Sequence, residues 1–188
     1  MSIAPSHFQT IVPTDQLTES VDVDTFKAAF RMHPAGVAVI TTDSGDRPAA
    51  MTVSSLASVS TEPPMVIFSL SRMSGAAAAF LESDNVVIHL PGAAQLWLAQ
   101  MAAAPGVDRF ADPTQWTRLP TGEPVFPDTY AWLRGRIVSR LEAGNSVICV
   151  AHIVQASVPD AETLVNDQSA PLVYHARTWH QLGTGSKI

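Results

Sequence analysis

AAMTVSSLASVSTEPPMVIFSLSRMSGAAA, residues 49–78, is the stretch that decides the fold of this chain. It contains two β-like runs, Met51–Ser60 and Met65–Ser71, which the Pro63-Pro64 pair separates. Proline ends a strand interior because it cannot donate to the ladder, so the pattern predicts two strands rather than one. Each run also carries a hydroxyl-rich patch.

These patches favour a phosphate site. One patch holds Thr52, Ser54 and Ser55, and the other holds Ser69, Ser71, Arg72 and Ser74. We predict that Ser74 caps a helix over Gly75–Leu81, so that unpaired backbone N–H groups lie beside the Arg72 guanidinium. The alternative is that the hydroxyls line edge strands and that Arg72 is a solvated surface residue.

Five segments together resemble a known family. They are GVAVITT (36–42), PAAMTVSSLASVSTEPPMVIFSLSRMS (48–74), NVVIHLPGAAQLWLA (85–99), RF (109–110) and PLVYHARTWHQL (171–182). The order is similar to the flavin reductase-like family of FMN-binding split β-barrels, the reductase components of two-component monooxygenases. The resemblance covers about Phe26 to Leu182. It implies a mostly β, Greek-key type barrel, with an arm at 1–21, one FMN-binding domain at 22–183 and a tail at 184–188.

The resemblance also implies which residues contact the cofactor. Residues against the flavin ring and ribityl chain would be Met51, Thr52, Val53, Ser54, Ser55 and Leu56; those at the phosphate end would be Ser69, Leu70, Ser71, Arg72 and Ser74. Further cofactor-side positions would be His89, Gln95, Arg109 and Phe110. The nicotinamide side would include Ser146, His175 and Trp179. No catalytic acid or base is expected, since the two cofactors exchange the hydride themselves.

One triplet departs from the family pattern. Many members have Gly-Asp-His before their penultimate long strand, where this chain has Gly144-Asn145-Ser146. Serine cannot carry the charge of an imidazolium, so nicotinamide binding is expected to be weaker or differently arranged. We expect the replacement of histidine by serine to affect FMN binding less than turnover with nicotinamide.

The resemblance implies an NAD(P)H:FMN oxidoreductase that forms a homodimer around FMN and supplies reduced flavin to a monooxygenase. Two alternatives stay open: a module that stores, shuttles or senses FMN without nicotinamide turnover, and a flavoprotein like pyridoxine-phosphate oxidase. The choices between NADH and NADPH, and between FMN and FAD, also stay open. No Gly-x-Gly-x-x-Gly or Walker loop is present, so the usual nucleotide fingerprints are missing.

Composition narrows the classes of partner. The 188 residues carry a net charge of -6 and only two lysines, which argues against a nucleic-acid partner. No apolar run is long enough to span a membrane and no leader pattern begins the chain, so we expect a cytoplasmic protein.

The single cysteine, Cys149, lies in an apolar run and is expected in a buried strand. His152, His175 and His180 lack the spacing of a zinc site.

Periodicity predicts the remaining elements. They are a short helix through Phe26 and Phe30 capped by Asp22 or Asp24, strands at 36–42, 47–58, 85–90, 130–141, 146–159 and 171–175, a helix at 93–103, and an irregular excursion at 105–127. Many strands with few helices suit a small antiparallel barrel.

Overall fold

The computed structural model describes residues 17–45, 47–159 and 170–188. The helices are α1 (Val23–Arg31), α2 (Ala77–Glu82) and α3 (Leu96–Ala103), with 3₁₀ turns at Ala93–Gln95 and Thr184–Ser186. The strands are β1 (Ala35–Gly36), β2 (Ala38–Asp43), β3 (Pro48–Val53), β4 (Ala57–Thr61), β5 (Pro64–Ser71), β6 (Asn85–Leu90), β7 (Thr117–Arg118), β8 (Pro124–Val125), β9 (Ala131–Ala143), β10 (Ser146–Ser157), β11 (Leu172–His175) and β12 (Thr178–Gln181).

Seven of these strands form one antiparallel sheet in the order β3-β2-β6-β9-β10-β5-β4. β11 joins β12 and the short β1 in a second sheet. The chain is therefore mostly β, as the sequence predicts. The strands β3 and β5 are not neighbours in the sheet, and a cleft lined by residues of both strands opens between them.

β2 is buried on both faces because its side chains alternate between two hydrophobic cores. Ala38 and Ile40 pack inside the barrel with Phe68 of β5, whereas Val39 packs on the other side with Leu98 of α3. A strand covered on both faces has a continuous apolar run, which is why 36–42 is recognisable in the sequence.

Several sequence predictions are confirmed. Asp22 caps α1, since its Oδ1 accepts the Thr25 N–H at 2.9 Å. The strand 85–90 has the predicted bounds, and the two long strands form the β9–β10 hairpin. Cys149 is fully buried in β10, and burial raises the pKa of its thiol. β12 was not predicted.

Two local predictions are wrong. The strand expected over 47–58 is interrupted at 54–56, so that β3 ends at Val53 and β4 begins at Ala57. Ser74 does not cap the following helix: α2 begins at Ala77, and its N-cap, Ala76, makes no side-chain cap bond. Residues 1–16 of the predicted arm lie outside the described residues. Within the described ranges, no helix is long and apolar enough to cross a membrane.

Gly135 provides a test of how β9 packs on β10. A Cβ added there would stand 3.1 Å from the Ala151 Cβ and 3.4 Å from Ile153 Cδ1, and the Ala151 Cβ is fixed to a strand backbone. We expect Gly135→Ala to lower the free energy of unfolding by about 1–3 kcal/mol through overpacking. Urea unfolding measures this effect. Gly36→Ala is the control, because its added Cβ meets nothing within 4 Å; equal stability of the two variants would contradict the prediction.

Candidate functional site

A cleft of about 400 Å³ opens between the end of β3, the end of β5 and the C-terminus of α3. We call it the serine cleft. Its lining residues are Met51, Thr52, Val53, Ser54, Ser55, Ser69, Ser71, Ser74, Ala102, Ala103, Arg109 and Ser146. The volume lies within the range of roughly 300–1,000 Å³ for small-molecule sites. Both hydroxyl patches singled out in the sequence therefore meet in one place.

The interruption after β3 shapes the floor of the serine cleft. The Ser55 hydroxyl accepts the Ser69 N–H at 2.9 Å, which bridges the end of β3 to β5 although these strands share no ladder. Thr52 Oγ1 donates to the Ala99 carbonyl at 2.7 Å and fixes α3 against β3. These two hydroxyls thus position the walls.

Other hydroxyls have a proton available for a ligand. Ser71 Oγ accepts the Met73 N–H at 3.3 Å, and Ser74 Oγ accepts the Ala76 N–H at 3.4 Å. A hydroxyl oxygen that accepts a backbone N–H can still donate its own proton. Ser146 lies directly across the ladder from Ser71. This end of the cleft is suited to an anion.

The two arginines predicted at the cofactor differ in their placement. Arg109 lies in the cleft wall, where its guanidinium donates to the Ala102 and Ala104 carbonyls at 3.1 and 2.9 Å. It therefore brings positive charge to the C-terminal, partly negative end of α3. The Arg72 guanidinium pairs with Glu142 at the surface and does not line the cleft.

His89 is outside the serine cleft. Its side chain is fully buried, Nδ1 donates to the Val39 carbonyl at 3.0 Å, and Nε2 accepts the Phe126 N–H at 3.0 Å. Burial lowers the pKa of this imidazole to about 4. Both ring nitrogens are occupied within the protein, so the structure gives His89 a packing role.

Three more predicted cofactor residues, and one residue predicted on the nicotinamide side, also lie outside the lining of the serine cleft. Gln95 Oε1 accepts the Gly92 N–H at 2.8 Å, and Leu70 belongs to the barrel core. Phe110 and Trp179 pack against the second core, on the α3 side. A role for Gln95, Leu70 and Phe110 in FMN contact, and for Trp179 in nicotinamide contact, stays a prediction.

A second cleft, of about 660 Å³, adjoins the serine cleft and shares Ser54 and Ser55 with it. We call it the α1 cleft; its other lining residues are Phe26, Lys27, Phe30, Arg31, His33, Ala35, Leu56, Ala57, Tyr174, His175, Ala176 and Arg177. Leu56 and His175 therefore lie here, whereas Ser146 lies in the serine cleft and Trp179 lines neither cleft. The three residues predicted on the nicotinamide side are therefore not brought together. Sequence reasoning missed the basic residues of α1.

Comparison with known proteins gives the chain a family. A family described as "Flavin reductase like domain" matches residues 30–183. An NADH:FMN oxidoreductase of Rhodococcus qingshengii is 34% identical over 91% of this chain and 88% of its own length. The reductase component of a 4-nitrophenol 4-monooxygenase/4-nitrocatechol 2-monooxygenase of Rhodococcus opacus is 32% identical over 76% of this chain and 78% of its own. The crystal structure of a flavin reductase domain protein from Arthrobacter sp. FB24 is similar, with a TM-score of 0.77, 31% identity and coverage of 85% of this chain and 95% of that one.

Proposed function

This chain belongs to the flavin reductase like family, and we propose that its serine cleft is where it holds FMN for reduction by a nicotinamide dinucleotide. The protein is an NAD(P)H:FMN oxidoreductase, as its similarity to an NADH:FMN oxidoreductase over 91% of the chain indicates. The observation that carries the site assignment is the meeting of the two hydroxyl patches in one cleft.

The residues of the serine cleft fit FMN. Val53 and Ser54, where β3 ends, would lie along the flavin ring, and Ser71 and Ser74 would donate hydroxyl protons to the phosphate. Arg109 would offset part of the phosphate charge from the cleft wall. When bound, FMN supplies the hydride acceptor. The protein supplies orientation and exclusion of water, so no side chain has to act as an acid or base.

One relative of this chain is part of a monooxygenase system. The similar Rhodococcus opacus protein is the reductase component of a monooxygenase, and we infer that this protein likewise passes reduced flavin to a monooxygenase.

We also propose that this protein is a homodimer. Met73, beside the phosphate end of the serine cleft, is 87% exposed, and Val59 of β4 is 52% exposed. A second barrel would cover these side chains. Light scattering should give twice the chain mass of 20.1 kDa; a monomer at micromolar concentration would refute the dimer.

Anaerobic titration tests the reductase activity. Protein loaded with FMN should lose its visible flavin absorbance when NADH or NADPH is added, and lose it much faster than free FMN does under the same conditions. Fast bleaching would establish that Ser146 suffices where the family has histidine. Bound flavin that neither nucleotide reduces would overturn the enzyme assignment and favour an FMN-binding module.

Arg72 gives a graded prediction. The Arg72 side chain is 45% exposed and already forms an ion pair with Glu142. To bind the FMN phosphate, Arg72 would have to give up this ion pair. We expect Arg72→Ala to weaken FMN binding about fivefold, corresponding to about 1 kcal/mol for an exposed ion pair. Glu142→Gln should tighten it slightly, because the competing carboxylate is gone. Fluorescence quenching of FMN measures both. Unchanged affinity in both variants would remove Arg72 from the phosphate site.

A further inference from the structure

The α1 cleft concentrates positive charge in an acidic protein. Lys27, Arg31 and Arg177 line it, which is three of the eleven Lys and Arg residues in a chain of net charge -6. His33 and His175 lie beside them, and the described lining contains no carboxylate. The described ion pairs involve other arginines, at 72, 118 and 134. Such a surface attracts an anion.

The backbone holds Arg177 in an unfavourable conformation. The β11–β12 hairpin turns at Ala176 and Arg177, whose φ angles are 49° and 64°. Both are left-handed, as a two-residue type I′ turn requires, and such turns ordinarily use Asn-Gly. The Ala176 N–H donates to the Arg31 carbonyl at 3.0 Å, so the turn is fastened to the end of α1. A strained turn that retains an arginine indicates a use for that side chain.

The same cleft offers flat apolar surfaces. The Phe26 and Phe30 rings lie 4.7 Å apart on α1 and are 52% and 61% exposed as residues. Tyr174 lines the cleft from β11. Aromatic rings beside cations are the combination that accepts a nucleobase next to a phosphate, since the base stacks on the rings and the phosphate pairs with the cations.

We propose that the α1 cleft binds the adenosine diphosphate half of the reduced nicotinamide dinucleotide. Lys27, Arg31 and Arg177 hold the diphosphate, and the adenine stacks on Phe26 and Phe30. Because the α1 cleft shares Ser54 and Ser55 with the serine cleft, the nicotinamide half extends across this shared wall toward the flavin. The assignment rests on the proposed function, and it names the residues that recognise the hydride donor.

The decisive variant is Arg177→Gly, because glycine relieves the strained φ while it removes the charge. With FMN saturating, we expect the KM for NADH to rise about tenfold, as for the loss of one charge-assisted contact. The combined variant Lys27→Ala, Arg31→Ala, Arg177→Gly should raise it about 100-fold or more. The KM for 1-benzyl-1,4-dihydronicotinamide, which has neither phosphate nor adenine, should not change. Arg177→Lys should keep most of the NADH affinity, and Lys187→Ala is the charge-matched control in the tail.

Two readouts separate this inference from a structural effect and from the proposed function. The thermal midpoint of Arg177→Gly should equal or exceed that of the wild type, whereas a merely structural role would lower it and raise the KM of both donors. ADP-ribose binding, measured by calorimetry, requires no hydride transfer and should be lost in the combined variant. Equal ADP-ribose binding and equal NADH KM in wild type and combined variant overturn this inference and leave the reductase intact. Flavin reduction by neither donor, with ADP-ribose still bound, overturns the function and supports the subsite.

Discussion

Ser71→Glu is expected to weaken FMN binding about 100-fold while the barrel stays folded. Ser71 is an exposed residue at the end of β5, in the wall of the serine cleft, and its hydroxyl proton is available to a phosphate. A glutamate there would place a carboxylate against the phosphate dianion, and juxtaposed like charges at a binding site cost several kcal/mol. Fluorescence quenching of FMN measures the dissociation constant, and urea unfolding shows that the fold is kept.

Ser139→Glu is the matched control for this prediction. Ser139 is also an exposed strand serine, on β9, and it lies outside the serine cleft. The same change of charge there should leave the FMN dissociation constant within about twofold. Equal weakening in both variants would mean that net charge, rather than the local position, governs binding, and the phosphate end would then lie elsewhere. Riboflavin, which lacks the phosphate, should bind wild type and Ser71→Glu alike.

The sequence predicts the parts of the fold that depend on local pattern. β6 was recognisable because both its faces are buried and it is apolar for most of its length. The interruption at 54–56 was not, because Ser54 and Ser55 have no special propensity against a strand. What marks the interruption is a tertiary contact, in which the Ser55 hydroxyl accepts the Ser69 N–H, and such a contact is not visible in a local sequence pattern. The residues of this interruption, 54–56, were nevertheless among the predicted cofactor contacts.

The candidate site was predictable where its residues are close in sequence, and was missed where the fold brings distant segments together. The serine-rich patches belong to one stretch and meet in one cleft. The basic residues of the α1 cleft are far apart in the sequence. Lys27 and Arg31 lie in its first part and Arg177 in its last part, so no local cluster of charge is visible in the sequence. Only the folded structure shows that these three cations line one cleft.

His89 should make the protein lose stability as the pH falls below 6.5. Its imidazole is fully buried, and burial lowers the pKa from 6.5 to about 4 in the folded state. Between these values the unfolded chain binds a proton that the folded chain does not, so the free energy of unfolding falls with decreasing pH. This group therefore contributes fully above pH 6.5, and its contribution decreases down to about pH 4. We expect about 2 kcal/mol to be lost through His89 between pH 7.5 and 5.0, at about 1.4 kcal/mol for each pKa unit.

His89→Gln isolates this contribution, because glutamine does not titrate. The substitution loses one of the two hydrogen bonds, to the Val39 carbonyl or from the Phe126 N–H, so the variant should be about 1 kcal/mol less stable at pH 7.5. Between pH 7.5 and 5.0 it should then lose about 2 kcal/mol less than the wild type does, as measured by urea unfolding at both pH values. Every other titrating group is common to the two proteins and cancels in that difference. The same pH-dependent loss in both would show that His89 is protonated in the folded state, which requires an acceptor for the Nε2 proton where the Phe126 N–H now donates. The hydrogen bond from the Phe126 N–H to His89 Nε2 would then be wrong. The conclusion that His89 only packs in the core, and does not contact the flavin, would be lost with it.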